Sequence, residues 1–474
     1  NESRPDRGGP ETAAEIAEAV RRREVSAREM VDRALDRVAR SHERLNAFVH
    51  VAGRQAREEA DRIDRAIARG AFEGPLAGVP FGVKDMDRCA GMPVSHGSLI
   101  HKGRPPESQD SVHVSRLRAA GAIPIGMTAC SEFGTVHFTN TKAWGITRNP
   151  WNPDLTPGGS SGGSSAAVAA GVVPFATAGD GGGSTRIPAS FTGLLGMKPS
   201  YGRIPREEPS TSQTAVWGAL TRTVRDSARH LDITSGPDDR DRTSLPPAGL
   251  SYERAIEELE TRGLRAIWSP DLGYARVDPE VLEITEAAAA GLIEAADLTL
   301  VEHPVELTEP IKAWLGAGAI DIWLHLERDD WPARADELVS HVRRNFEATE
   351  NLPVPVYANF LRRRHRLQVE MAELFERTDI LITPTTAVPA FDARSPRDVT
   401  IDGEKVDPAM TVPFTMLANL CWNPAVSIPA GLTRSGLPVG LQVMTRRHAD
   451  EIALRLARIL EERNPWPLTA PGWP

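Results

Sequence analysis

An α/β fold with a largely buried sheet is predicted for this 474-residue chain by three features. Short apolar runs with β-branched residues recur along it, among them Val79 to Val83, Asp379 to Thr383 and Val439 to Met444. Amphipathic stretches of helical period separate these runs. Between Thr156 and Pro188, two glycine-framed serines are joined by an apolar segment, Ala166 to Ala170 and Val172 to Ala176, that reads as helix then strand. Such a segment is not a flexible Gly/Ser linker. No internal repeat is present.

In chain order, Asn1 to Pro10 is charged and rich in Pro and Gly, and is expected to be a disordered tail without a signal-peptide pattern. Glu11 to Arg23 has helical spacing of Ala13, Ile16, Ala17 and Val20. A second helix follows Ser26, whose hydroxyl forms a capping box with Glu29. Leu45 to Val49 is strand-like, and Ala52 to Arg69 is a third helix ending at Gly70. In Pro75 to Asp85 the period of two puts Val79, Phe81 and Val83 on one face and Pro80, Gly82 and Lys84 on the other. Asp110 to Ala120 reads as helix, Ala122 to Ile125 as strand, and Ala143 to Pro153 as a Trp/Pro-rich loop. Past the serine clusters come an apolar strand entry at Gly193 to Pro199 and a loop reaching Leu220 to Asp226. Gly236 to Gly249 reads as a linker. Leu264 to Trp268 and Leu298 to Val301 flank a helix from Pro279 to Ala295. Polar helices fill Lys312 to Arg377, with Arg362 to Arg366 as a solvated basic face. Ala425 to Ile428 is a further strand, and Asp450 to Glu461 a closing helix.

Composition narrows the function classes. Charged residues make up 25% and the net charge is −9, which supplies no electrostatic reason to expect nucleic acid or an anionic membrane as partner. Cys89, Cys130 and Cys421 are odd in number and widely spaced. They read as free packing thiols in a reducing, cytoplasmic compartment, with neither disulfide nor zinc. No apolar run is long enough to span a bilayer.

Dense glycine is normally found where φ must be positive or where backbone N–H groups must approach a ligand. Gly158-Gly159-Ser160-Ser161-Gly162 matches the G-x-S-x-G elbow of α/β-hydrolase esterases, but an elbow needs a buried strand just before its serine. Pro150, Pro153 and Pro157 rule out a central strand there. A phosphate loop fails too, because no Gly-Lys-Ser/Thr follows the glycines.

The motifs G-V-P-F-G-V-K-D, T-R-N-P-W-N-P, P-G-G-S-S-G-G-S, G-D-G-G-G-S-x-R-I-P-A and G-x-K-P-S-Y-G-R, in this order over residues 70–226, resemble the amidase signature family. Segments around Asp379 to Thr385 and Pro424 to Gly431 are similar to it as well. The resemblance implies a large mixed β-sheet covered by helices. Residues 1–70 would form an N-terminal helical arm, and 71–474 the core with a mostly helical insert at about 305–378. It also implies a Ser-cisSer-Lys triad at Ser184, Ser160 and Lys84, and amide hydrolysis through an acyl-enzyme on Ser184. Hydrophobic or aryl amides are the expected substrates, with esters and carbamates (urethanes) open, no cofactor or metal, and a monomer or homodimer. The glutamine-amidohydrolase subunit of a tRNA-dependent amidotransferase is the alternative. Ile187 after Arg186 resembles free-standing amidases, where that subunit tends to have Gln. An α/β-hydrolase-type esterase is the other.

The implied chemistry is physically coherent. A serine hydroxyl needs a base to be nucleophilic at neutral pH, and no His lies in either cluster. Lys84 can serve only when neutral, which burial achieves by penalising the cation by roughly 4 kcal/mol. Ser160 both donates and accepts, so it can relay the proton. Gly181, Gly182 and Gly183 present successive N–H groups suited, with the Ser184 N–H, to an oxyanion hole. Asp180 and Arg186 are expected to brace the loop, and Ser161 to add a supporting hydrogen bond. Met127 to Phe133 and Gly218-Ala219-Leu220 depart from common family runs without touching the triad. Trp144, Trp151, Trp217 and Trp422, with the loop from Pro389 to Pro413, are expected to build an apolar pocket under a mobile cover.

Overall fold

The computed structural model describes residues 11–473 except 73 and 397; the Asn1–Pro10 tail lies outside them. One mixed sheet of eleven strands organises the described residues. Across it run the strands Phe48–Val51, Ile123–Thr128, Pro80–Lys84, Phe175–Asp180, Val216–Thr221, Leu195–Lys198, Ala425–Leu432, Pro438–Thr445, Ile380–Pro384, Arg265–Trp268 and Thr299–Leu300. Pro80–Lys84 lies parallel to both its neighbours, and a second parallel group closes the far edge. The strands between them pair antiparallel.

The helices cover both faces. At one end, Ala27–Leu45 and Gly53–Ala68 bury their apolar stripes against the strand Ile123–Thr128, Ala27–Leu45 also meets the helix Gly162–Ala169, and Ala13–Arg21 joins the same apolar cluster beside the helix Val224–Thr234. Thr12 and Ser26 each complete a capping box, with Glu15 and Glu29. Phe48–Val51 joins the sheet as its edge strand, so the N-terminal segment contributes to the sheet as well as covering it. At the other end, Pro279–Ala295 and Asp450–Arg463 pack on the strands Ala425–Leu432 and Pro438–Thr445. Each fully buried large apolar side chain, such as Phe81 or Phe175, contributes about 1.5–3 kcal/mol. Those two rings stack at 5.2 Å across the parallel pair.

Two elements differ from the sequence expectation. Val216–Thr221, read as part of a loop, is a strand in the middle of the sheet with all six residues buried. Burial on both faces removes the alternation that signals a strand, and Gly218 lowers the local propensity. The helix Val224–Thr234 follows it directly, capped by Thr223. Within the polar insert, Arg364 does more than face solvent: it donates to the carbonyls of Leu420, at 3.1 Å, and Ser212. Among the described residues no helix is long and apolar enough to cross a membrane.

Candidate active site

Lys84 ends the strand Pro80–Lys84, beside the C-terminal end of the parallel strand Phe175–Asp180, and parallel strands leave a crevice at such ends. Its backbone N–H donates to Thr177 Oγ1 at 2.9 Å, which registers the two strand ends. The ammonium nitrogen donates to Ser160 Oγ at 2.8 Å and more weakly to the Gly179 carbonyl at 3.4 Å. Gly179 leaves room for the Trp217 ring beside it, since a Cβ there would stand 3.2 Å from that ring. Lys84 is 1% exposed, and no carboxylate is among these partners. Burial therefore dominates over the more distant Cys130, Asp180 and Asp87, and lowers its pKa to about 8.

Ser160 lies in the turn just before the helix Gly162–Ala169, after a cis Gly159–Ser160 peptide. Gly158 has φ +89°, and a Cβ on it would meet Pro188 Cα at 2.7 Å, so the turn fits only glycine there. The Ser160 carbonyl accepts from the Ser131 N–H at 3.2 Å. Ser161 Oγ donates to Gly179 O at 3.4 Å, the same carbonyl that Lys84 approaches.

Ser184 sits in the turn between the strand Phe175–Asp180 and the helix Arg186–Thr192. Four consecutive carbonyls of this turn are held: Asp180 O by Asn419 Nδ2 at 2.8 Å, Gly181 O by Trp314 Nε1 at 2.6 Å, Gly182 O by Thr415 Oγ1 at 2.6 Å and Gly183 O by the Ile187 N–H at 2.7 Å. A trans peptide points its N–H opposite to its carbonyl, so each anchor also sets the direction of the next N–H. The Gly183 N–H is already donated to Asp180 Oδ1 at 2.7 Å. The expected oxyanion donors thereby narrow to the N–H groups of Gly181, Gly182 and Ser184. Beneath the turn Arg186 grips Asp180, with Nε 2.9 Å from Oδ2 and Nη2 2.8 Å from Oδ1, and also donates to Gln442 and Asn419. Burial raises the Asp180 pKa, but the guanidinium outweighs it and holds the carboxyl well below the usual range.

Lys84, Ser160 and Ser184 all face one cavity of about 520 Å³, with Gly179, Asp180 and Gly181 on the same wall. An open groove of about 780 Å³ along Arg116, Asp232 and Arg254 contains none of the candidate residues. Part of the cavity wall is aromatic. Phe133 stacks on His325 at 4.9 Å, and His96 lies 5.1 Å from His325 and 5.3 Å from His101. Burial lowers the pKa of His101 and His325 to about 4 and of His96 well below its ordinary value, so these three imidazoles are neutral at physiological pH.

The amidase sequence profile matches residues 29–454. This chain belongs to the amidase signature family. Over 463 residues it is 33% identical to an acylamidase of Rhodococcus erythropolis, covering 96% of each chain. It is also 33% identical over 472 residues to a glutamyl-tRNA(Gln) amidotransferase subunit from Synechococcus sp. (strain RCC307), covering 94% of this chain and 96% of that one. A solved bacterial aryl acylamidase of the amidase signature family superposes with a TM-score of 0.88 at 30% identity, over 96% of both chains. The eleven-stranded mixed sheet is thus the amidase signature fold, and the chain is an amidohydrolase acting on small amides.

Within this family framework the expected pocket needs two corrections. Of the four tryptophans named from sequence only Trp217 lines the cavity. Trp144 donates to Ser95 Oγ at 2.8 Å, Trp151 to Thr192 O at 2.8 Å, and Trp422 to Gln213 O at 2.7 Å while stacking on Tyr201. Among the described residues of 389–413 none lines the cavity wall: Phe391 packs on Phe191, and the Thr156 N–H donates to the Phe391 carbonyl at 2.8 Å. That part of the cavity wall comes instead from residues 314–325, through Trp314, Leu315, Ile322, Leu324 and His325. Trp314 carried no local signal, because its role depends on contact with Gly181, 133 positions away. His137, the histidine nearest the serine clusters, is 3.2 Å from Thr411 Oγ1 and off the cavity wall.

Proposed function

We propose that this enzyme hydrolyses hydrophobic or aryl carboxylic amides through an acyl-enzyme on Ser184, with Ser160 as proton relay and Lys84 as base. The observation that carries this reading is the 2.8 Å contact between Lys84 Nζ and Ser160 Oγ on a lysine shielded from water. In its neutral form Nζ accepts the Ser160 proton, Ser160 Oγ accepts the proton of Ser184, and Ser184 Oγ attacks the amide carbon. The N–H groups of Gly181, Gly182 and Ser184 take the developing oxyanion, each donor typically worth about 3 kcal/mol. The proton then returns through Ser160 to the leaving nitrogen, the C–N bond breaks, and an amine departs. Water attacks the ester by the same relay, releasing the acid and restoring Ser184.

Aryl and apolar amides are favoured by the uncharged patch of Phe133, Trp217, Trp314 and the three imidazoles, while Arg104, Arg206, Glu208, Asp321 and Glu327 supply charged groups elsewhere on the same lining. Esters and carbamates present the same carbonyl geometry and are secondary substrates in this reading. Similarity to the glutamyl-tRNA(Gln) amidotransferase chain favours a second reading, glutamine hydrolysis within a complex. Ile187, which bears on that choice, is buried in an apolar cluster with Phe191 and Met416 rather than on the cavity wall. A panel of chromogenic anilides, aryl esters and aryl carbamates, run on the purified protein alone, separates the two. Turnover of anilides without tRNA, ATP or a second protein supports the first reading. Activity confined to glutamine and dependent on partners supports the second.

A further inference from the structure

The short helix Ile311–Ala317 of the insert is seated tightly. Ala313 and Ala317 are buried in an apolar cluster, and a Cβ on Gly316 would stand 2.0 Å from the Phe360 ring. This seating turns Trp314 toward the catalytic loop, where Nε1–H donates to Gly181 O at 2.6 Å. The indole lies so close that a Cβ on Gly182 would be 2.6–2.8 Å from three of its ring atoms.

The peptides of this loop are not held equally. The unit joining Gly182 to Gly183 is held at both ends, its carbonyl by Thr415 and its N–H by Asp180. The carbonyls before Gly181 and Ser184 are held by Asn419 and by the first turn of the helix Arg186–Thr192. The unit joining Gly181 to Gly182 carries, among the described residues, one side-chain anchor, the indole N–H of Trp314. Because a peptide is planar, rotating that carbonyl rotates the Gly182 N–H with it.

We infer that Trp314 is a positioning residue for the oxyanion site, its indole N–H holding the Gly181 carbonyl so that the Gly182 N–H is aimed at the developing charge. This rests on the acyl-enzyme reading given above and adds to it a residue from the insert. The insert thereby completes the catalytic loop as well as covering the cavity. A misaimed donor acts on the transition state more than on bound substrate, so the loss falls on kcat and not on KM.

The test compares wild type with Trp314→Phe, which keeps a ring and removes the donor. The readouts are kcat and KM on 4-nitroacetanilide and inhibition by phenylboronic acid, whose tetrahedral adduct places an oxygen at the oxyanion position. Expected for Trp314→Phe are a fall in kcat of about 10- to 100-fold, KM within about threefold, and boronate affinity weakened in step with kcat. Unchanged kcat, or a raised KM with kcat kept, overturns the proposal and leaves Trp314 as a wall of the pocket. If Trp314→Phe does not fold, β-(3-benzothienyl)alanine at position 314 decides by the same criteria, since it replaces N–H by sulfur at nearly constant shape. Ser184→Ala is run in parallel: wild-type turnover there removes the acyl-enzyme reading and this proposal together, whereas normal kcat in the Trp314 variant alone removes only the proposal.

Discussion

Arg186 and Asp180 form a fully buried two-point ion pair under the loop that carries Ser184, and the same carboxylate accepts the Gly183 and Thr185 N–H groups. The pair therefore joins the C-terminal end of the strand Phe175–Asp180, the glycine loop and the next helix in one network. Removing one partner leaves the other charge buried and unpaired.

Arg186→Met should lower stability by about 3–5 kcal/mol. Urea unfolding followed by tryptophan fluorescence measures it, and a change below about 1 kcal/mol would show that the network is dispensable. Turnover should fall as well, since the loop that aims the backbone donors loses its support.

In the proposed mechanism Lys84 sets the pH dependence. Its pKa is lowered to about 8, so the neutral base becomes populated as pH rises through that value. The ratio kcat/KM should climb about tenfold per pH unit below it and level off above, with no alkaline fall from this group. Lys84→Arg keeps the charge but cannot give up its proton, and should be as inactive as Lys84→Ala, by about a hundredfold or more. Substantial activity in Lys84→Arg would remove the lysine from the base role.

The two serines are distinguishable by labelling. A sulfonyl fluoride or fluorophosphonate should leave its adduct on Ser184, and Ser184→Ala should abolish turnover with an unchanged circular dichroism spectrum. Ser160→Ala should retain the nucleophile but lose about 10²- to 10⁴-fold in rate. Peptide mass spectrometry placing the adduct on Ser160 or Ser161 would reverse the assignment.

Asp321 ties the insert to the loop at residues 210–212, accepting from Ser210 Oγ at 2.9 Å and from the Thr211 N–H and Oγ1 at 2.6 Å, as well as from Ser212. It lines the same cavity as Lys84, Ser160 and Ser184. Asp321→Ala should loosen that rim and raise KM on the order of tenfold, equivalent to about 1.4 kcal/mol of binding, with a smaller change in kcat. Steady-state kinetics on one anilide suffices, and an unchanged KM would exclude a role for this tie in substrate binding.

Local signals make much of the chain legible from its residues alone. The Ser26–Glu29 capping box and the Pro279–Ala295 helix are encoded by residues a few positions apart, and the structure reproduces both. The signature motifs, read in order, identify the family and so the mixed sheet. Lys84, Ser160 and Ser184 stand out by residue type and glycine framing, although 76 positions separate the first two. Tertiary structure alone decided the rest, because it depends on atoms meeting from distant parts of the chain. Val216–Thr221 is a strand through pairing on both sides, which no local alternation reports. The Gly183 N–H, one of the expected oxyanion donors, is donated to a carboxylate that Arg186 and Asn419 also hold. Trp314 and its neighbours line the cavity where, among the described residues, 389–413 do not, since the packing of Ile311–Ala317 onto the core brings Trp314 over the glycines. Backbone direction and side-chain burial are properties of the assembled sheet, and a linear pattern carries them only where its own neighbours in sequence supply the contact.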